Sequence, residues 1–213
     1  NLKDDHPAKQ YLLNRKLPTD YYDRLYYCDK FQTYVNRIRP GTFESLNKKY
    51  EHPRLIIPFY DVDNQVFAIQ GRAFGKEQPK YLTIKLQENK QKIFGLERIN
   101  LHKRLYIVEG PLDSLFLDNC LAAGGADLQL PAENKDVVFI FDNEPRNKEI
   151  IDRMYKMIEK DYMIVIWPEG QKEKDINEMI INGKTKDQVQ KIISDNTYSG
   201  LSAITQINSY KRC

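Results

Sequence analysis

Carboxylate side chains follow three short apolar runs in the second half of the chain. Glu109 comes directly after the run at 105–108, Asp142 and Glu144 come after the run at 137–141, and Asp175 follows the run at 163–167 through a short loop. Carboxylates crowded together raise one another's pKa unless a cation lies among them. Oxygen ligands without His or Cys favour a hard ion, Mg²⁺ or Mn²⁺. The pattern therefore predicts a divalent-metal site, although any one of these acids could instead cap a helix.

Alternating apolar runs and helical stretches must position these acids. The runs at 105–108, 120–123, 137–141 and 163–167 are typical of buried parallel strands. Helices are predicted between and after them, at 111–119, 147–160, 176–181 and 186–194. This alternation indicates an α/β fold, with a parallel sheet covered by helices on both faces. In such sheets ligands lie beyond the carboxyl ends of the strands, where the acids are.

The first half of the chain has a different pattern. Helices are predicted at 6–15 and from Pro18 onward, and strands at 54–60, 65–70 and 80–85, so this half is a mixed α+β subdomain. Residues 1–103 carry 19 Lys and Arg against 12 Asp and Glu, whereas residues 104–213 carry 14 against 18. A basic half beside an acidic half suits a polyanion and a cation, respectively, although solvated surfaces explain the same counts.

The motif order resembles the Toprim domain of topoisomerases, DnaG-type primases and some nucleases, and most closely the primases of T-even bacteriophages. Glu109-Gly110 with Asp113, and then Asp142 with Glu144, correspond to the two acidic motifs of that domain. The wider resemblance runs from about His6 to the end of the chain, through residues 53–58, 70–73, 80–84, 109–116, 142–146, 174–180 and 196–201. It implies a basic subdomain at 1–103, a Toprim catalytic domain at 104–195 and a C-terminal tail at 196–213.

The resemblance also implies a function, a DNA primase that makes RNA primers by two-metal nucleotidyl transfer. Its catalytic and metal-binding residues would be Glu109, Asp142, Glu144 and Asp175, with Asn177 as a further metal ligand. Glu144 and Asn177 stand where the general pattern has Asp, which leaves the number of ions open, and Glu109 would serve as a metal ligand or as a general base. Template or triphosphate would be bound by Arg54, Arg72, Lys76, Lys80, Lys85 and Arg146.

Partners implied by the resemblance are a single-stranded DNA template, ribonucleoside triphosphates and a replicative helicase. The three isolated cysteines form no zinc motif, so we expect any zinc-binding module to lie outside this sequence. No apolar run approaches the roughly 20 residues of a membrane span, and a cytoplasmic setting is expected, that of the host cell for a phage protein. Two alternatives stay open, a Toprim nuclease and a non-catalytic module that binds DNA or helicase. Phe59, Phe67 and Tyr81 fit core positions as well as base stacking.

Overall fold

The computed structural model describes residues 2–44, 51–123 and 136–213, and the chain divides into two compact units, Asn1–Lys92 and Ile93–Cys213. The first unit contains a four-stranded antiparallel sheet in the order β1-β2-β3-β4. Its elements, in chain order, are α1 (Pro7–Asn14), a 3-10 turn (Thr19–Arg24), β1 (Tyr26–Cys28), α2 (Phe31–Ile38), β2 (Arg54–Tyr60), β3 (Val66–Ala73) and β4 (Tyr81–Lys85).

Local signals explain where the elements of the first unit begin and end. The predicted first helix is confirmed, with His6 Nδ1 accepting the Ala8 N–H at its start and Pro7 in its first turn. The second predicted helix is only the 3-10 turn. Between β2 and β3 the Asp61 carboxylate accepts the backbone N–H groups of Asp63 and Gln65, which closes the predicted turn.

Helix α2 packs on one face of this sheet. Phe31 and Val35 of α2 form a buried cluster with Ile56, Ile69 and Ile84 of the strands. Gly71 of β3 makes this packing possible, because a Cβ at this position would lie 2.3 Å from a ring carbon of Phe31. The first unit therefore depends on one glycine in the middle of a strand, where glycine often marks close approach.

The second unit contains a six-stranded sheet in the order β10-β9-β8-β6-β7-β5. The four inner strands are parallel, as predicted, and the two edge strands are antiparallel to their neighbours. The strands are β5 (Ile93–Phe94), β6 (Leu105–Val108), β7 (Cys120–Ala123), β8 (Val137–Phe139), β9 (Met163–Val165) and β10 (Thr197–Tyr198). The helices are α3 (Lys148–Glu159), α4 (Ile176–Ile181), α5 (Lys186–Asp195) and α6 (Gly200–Tyr210).

Helices cover both faces of this sheet, which confirms the predicted α/β fold. On β6, Leu105 and Ile107 belong to the main core cluster, which also contains residues of α3 and α6. Tyr106, on the opposite face of the strand, accepts a hydrogen bond at its hydroxyl from Gln190 of α5 (2.8 Å). Successive strand residues point to opposite faces, so this alternation places α3 and α6 on one side and α5 on the other.

Three details differ from the sequence-based predictions. The helix predicted at 111–119 is a 3-10 turn over Asp113–Phe116, because the chain turns back at Asn119 (φ 50°) to enter β7. The second unit begins at Ile93 rather than after 103, because β5 pairs with β7. The segment 196–213, predicted as a C-terminal tail, contains β10, which extends the sheet, and α6, which packs on α3 and β9. Among the described residues, no helix has both the length and the apolar character of a membrane span.

Candidate active site

Carboxylates from three strand ends meet at one edge of the second sheet. Glu109 follows β6 directly, Asp142 lies three residues beyond β8, and Asp175 is the N-cap of α4, where its Oδ1 accepts the Glu178 N–H at 2.7 Å. A small pocket at this edge is lined by Glu109, Asp113, Asp142 and Asp175. Parallel strands bring their carboxyl ends to one edge, which explains why acids far apart in sequence converge.

The other predicted acid-motif residues lie beside this pocket rather than on its wall. Glu144 pairs through Oε1 with Lys174, and its Oε2 accepts a hydrogen bond from Asn147 (2.6 Å). Asn177 is 1% exposed, and its backbone N–H donates to Asp113 Oδ1 at 3.0 Å. Neither residue is among those that line the pocket.

Two basic residues that the sequence reasoning missed neutralise the acids. Arg153 of α3 pairs with Glu109, and Lys174 pairs with Glu144 and lies 3.5 Å from Asp142 Oδ2. The signals were their positions: Lys174 directly precedes Asp175, and Arg153 lies on the first helix after the second acidic motif.

Burial and neighbouring charges shift the pKa values of the site in opposite directions. Burial raises the pKa of Asp142 to about 6, helped by the negative charges of Glu109 and Asp175 and opposed by Lys174. The pKa of Glu144 is lowered, first by its hydrogen bond with Lys174 and then by that with Asn147. Burial, with the charges of Glu144 and Asp142, raises the pKa of Tyr210. Burial, and to a smaller extent the neighbouring carboxylates, therefore makes the ionised form of Asp142 unfavourable.

The donor chemistry of this cluster fits a hard divalent cation. The available ligand atoms are carboxylate oxygens, which hard cations prefer. The raised pKa of Asp142 also indicates that added positive charge would be favourable there. In the described part of the chain, no three His, Cys, Asp or Glu side chains are grouped as a metal site. Two of the acids are instead paired with cations, Glu109 with Arg153 and Glu144 with Lys174.

A close backbone approach shapes the loop that carries Glu109 and Asp113. A Cβ at Gly110 would lie 2.5 Å from Asp113 Oδ2, so a larger residue would displace that carboxylate. The loop is also held by Arg98, whose guanidinium donates to the hydroxyl of Ser114 at 2.6 Å. Glycine at 110 thus lets the Asp113 carboxylate lie close to the backbone.

The basic residues predicted to bind nucleic acid fall into two groups. Arg54 is 2% exposed and Arg72 is 5% exposed. The Arg54 guanidinium donates to the carbonyls of Gly71 (3.0 Å), Pro79 (3.0 Å) and Lys80 (3.4 Å), and burial lowers its pKa. The Arg72 guanidinium donates to the Tyr81 hydroxyl (3.2 Å) and the Ala73 carbonyl (2.8 Å). Both arginines therefore hold the sheet together, and their contact with nucleic acid stays a prediction.

The remaining predicted cations lie closer to solvent. Lys76, Lys80 and Arg146 are exposed, and the Lys80 ammonium lies 5.8 Å from the centre of the Tyr81 ring. Lys85 is bound to the backbone carbonyl of Glu88. Tyr81 is 40% exposed, whereas Phe59 and Phe67 are buried in the core, as the alternative interpretation of these aromatics held.

Comparison with known proteins relates this chain and its fold to primases. The sequence is 35% identical over 217 residues to the DNA primase of Enterobacteria phage T4, and the match covers 99% of this chain and 62% of that protein. The chain thus spans somewhat less than two thirds of the length of the curated relative that it matches. No protein-family model matches the chain.

Solved primase structures share the fold. A DnaG primase catalytic domain bound to single-stranded DNA has a TM-score of 0.69 at 18% identity, over 98% of this chain and 76% of that one. The zinc-binding and RNA polymerase domains of the Aquifex aeolicus primase have a TM-score of 0.67 at 19% identity. The match covers 91% of this chain and 57% of that one. The Escherichia coli primase catalytic core has a TM-score of 0.67 at 18% identity, and the match covers 95% of this chain and 76% of that one. The chain is therefore a relative of the phage T4 DNA primase and has the fold of the DnaG-type primase catalytic core, which confirms the family resemblance of its motifs.

Proposed function

We propose that this chain is the catalytic part of a DNA primase, which synthesises short RNA primers on single-stranded DNA for lagging-strand replication. The observation that carries the proposal is the pocket where Glu109, Asp142 and Asp175 meet, in a relative of a phage primase. In the reaction a nucleotide hydroxyl attacks the α-phosphate of an incoming ribonucleoside triphosphate, and pyrophosphate leaves. Charge develops on phosphate oxygens, so positioning and electrostatic stabilisation supply most of the catalysis.

We assign the acids as ligands for divalent cations. Glu109, Asp142 and Asp175 would hold one Mg²⁺ or Mn²⁺ ion, and Asp142 with Glu144 would hold a second. When bound, such ions lower the pKa of the attacking hydroxyl and neutralise the triphosphate. We give buried Asn177 a supporting role rather than that of a ligand, because its backbone N–H holds the Asp113 carboxylate.

The basic residues of the site have their own part in this proposal. Arg153 and Lys174 compensate the carboxylates before substrate arrives. The Lys174 side chain is 53% exposed, so its ammonium is free to leave Glu144 and contact the phosphates of a triphosphate. Glu109 has two possible roles, as a metal ligand or as the base that accepts the proton of the attacking hydroxyl.

Template binding is assigned to the first unit. Lys76 and Lys80 are exposed, and the exposed ring of Tyr81 beside Lys80 offers a surface on which a base can stack. Lys85 would add a phosphate contact in the first unit and Arg146 one in the second, while Arg54 and Arg72 keep the strands of the first unit in place. The partners that follow are single-stranded DNA, ribonucleoside triphosphates and, by family resemblance, a replicative helicase. The proposed setting is cytoplasmic, that of the host cell for a phage protein.

The proposal is tested by incubating the purified chain with a single-stranded template, Mg²⁺ and four ribonucleoside triphosphates, one of them labelled. Labelled oligoribonucleotides are expected. Glu109→Gln and Asp142→Asn should each reduce synthesis by at least about 100-fold, as loss of a group that acts in the transition state does. Template affinity should stay within about twofold, because neither acid belongs to the proposed template surface.

The matched control is Glu149→Gln, which removes an exposed carboxylate from the first turn of α3 and should leave synthesis unchanged. Normal synthesis by either site variant would refute the site assignment. Shortening of the DNA without any RNA product would identify a nuclease instead. Template binding with neither product, and without Mg²⁺ binding, would indicate a non-catalytic module.

A further inference from the structure

The end of the C-terminal helix α6 is hydrogen-bonded to the loop that carries Asp142 and Glu144. The Tyr210 hydroxyl donates to Asn143 Oδ1 at 3.0 Å. Just beyond the helix, the Arg212 backbone N–H donates to the Pro145 carbonyl at 2.7 Å. A segment with no acid of its own therefore contacts the acidic loop at two points.

Asn143 connects that contact to a second acidic segment. Its side-chain amide donates to the carbonyls of Gln171 (2.9 Å) and Glu173 (3.0 Å), and its backbone N–H donates to the Lys174 carbonyl (2.6 Å). Both amide hydrogens are thus used, and the amide oxygen is left to accept the Tyr210 hydrogen. Through this one side chain, the loop after β8 is bound to the segment that leads into Asp175.

Packing alone does not hold this loop in place. Asn143 and Pro145 line a cavity of about 290 Å³ that is open to solvent, and Trp167, Gln206 and Tyr210 form other parts of its wall. A side chain that faces solvent is packed against protein on fewer sides than a core residue, so polar contacts matter more for its position. The hydrogen bonds of Asn143 therefore help to fix where the loop lies, together with the pairs that Lys174 makes with Asp142 and Glu144.

We propose that Tyr210 is a positioning residue for nucleotidyl transfer, which acts through Asn143 to set the separation between Asp142 and Asp175. This inference rests on the proposed function. Asp142 and Asp175 line one pocket and are assigned to one ion, so a small shift of either changes the geometry offered to that ion. Reactions at such sites are sensitive to misplacements of about 1 Å.

The test is Tyr210→Phe, which removes one hydroxyl and keeps the ring. Primer synthesis should lose about three- to tenfold in kcat, the worth of one hydrogen bond, with template KM unchanged. The Mg²⁺ concentration for half-maximal synthesis should rise by a similar factor. The same kcat and the same Mg²⁺ requirement as the unaltered chain would overturn the proposal, and so would a loss confined to thermal stability.

The matched control is Tyr155→Phe. The Tyr155 hydroxyl of α3 donates to Asn208 Oδ1 at 3.0 Å, so it ties α6 to α3 without touching the acidic loop. This variant should match the unaltered chain in kcat and in Mg²⁺ requirement, even if its melting temperature falls. An equal loss in both variants would mean that any weakening of α6 is enough, and would overturn the specific role of Tyr210.

A double-mutant cycle and a binding measurement complete the design. In an Asn143→Ala background, Tyr210→Phe should have no further effect, whereas additive losses would refute a path through Asn143. Titration calorimetry with Mg²⁺ alone should show weaker binding by Tyr210→Phe than by the unaltered chain. This readout needs no primer synthesis, so an inactive unaltered chain would sink the proposed function, while equal Mg²⁺ affinities would sink the role of Tyr210.

Discussion

Asp142→Asn should stabilise the metal-free protein while abolishing its activity. The pKa of Asp142 is raised from 3.8 to about 6, mainly by burial and then by the charge of Glu109. A carboxyl with a higher pKa in the folded than in the unfolded protein disfavours folding wherever it is ionised. A difference of about two pKa units corresponds to about 3 kcal/mol, and the neutral amide removes this cost.

The gain should depend on pH in a defined way. Below pH 3.8 the carboxyl is protonated in the folded and the unfolded protein, so the substitution should not raise the free energy of unfolding. Between pH 3.8 and about 6 the gain should grow, because only the unfolded protein ionises fully in that range. Above about 6 the gain should be constant, since the carboxyl is then ionised in both states.

The assay is urea unfolding with a chelator present, at pH 4 and at pH 8. The control is Asp152→Asn, an exposed position on α3 where a change within about 0.5 kcal/mol is expected at both pH values. Added Mg²⁺ should stabilise the unaltered chain more than Asp142→Asn, because ligand binding favours the folded state. A gain in stability that is absent at pH 8, or equal at both pH values, would refute the raised pKa of Asp142 in the folded protein.

Two further predictions concern the first unit. Lys80→Ala should lower the slope of log affinity for single-stranded DNA against log salt by about 0.7, the value for one phosphate contact on a single strand. Arg72→Ala should mainly reduce stability, because that guanidinium is buried. Equal slopes for Lys80→Ala and the unaltered chain, in titrations at several salt concentrations, would refute the template surface. Gly71→Ala should cost about 1–3 kcal/mol in denaturant unfolding, since its Cβ would lie 2.3 Å from the Phe31 ring. An unchanged unfolding midpoint for Gly71→Ala would mean that α2 can move away from the added methyl group without loss of stability.

Strand and helix signals were strong where apolar residues were continuous or where caps were present. The helix at 176–181 and the inner strands of the second sheet are where the sequence predicts them, because buried runs and an Asp N-cap are local features. The 3-10 turn at Asp113–Phe116 was expected as a helix, since its apolar residues are also compatible with one. Tertiary context decided that case, because the chain must turn at Asn119 to enter β7.

The sequence by itself determined which side chains are proposed to carry the chemistry. Acids that directly follow apolar runs can be recognised from the sequence, because parallel strands bring their carboxyl ends to one edge of the sheet. Only the tertiary structure decided what surrounds them. Arg153 pairs with Glu109 across 44 positions of sequence, and Tyr210 reaches Asn143 across 67. The same holds for the predicted cations, since burial makes Arg54 a support of its sheet while Lys80 stays exposed. Partners so distant leave no local pattern, because they are chosen by the packing of helices onto the sheet and not by spacing along the chain.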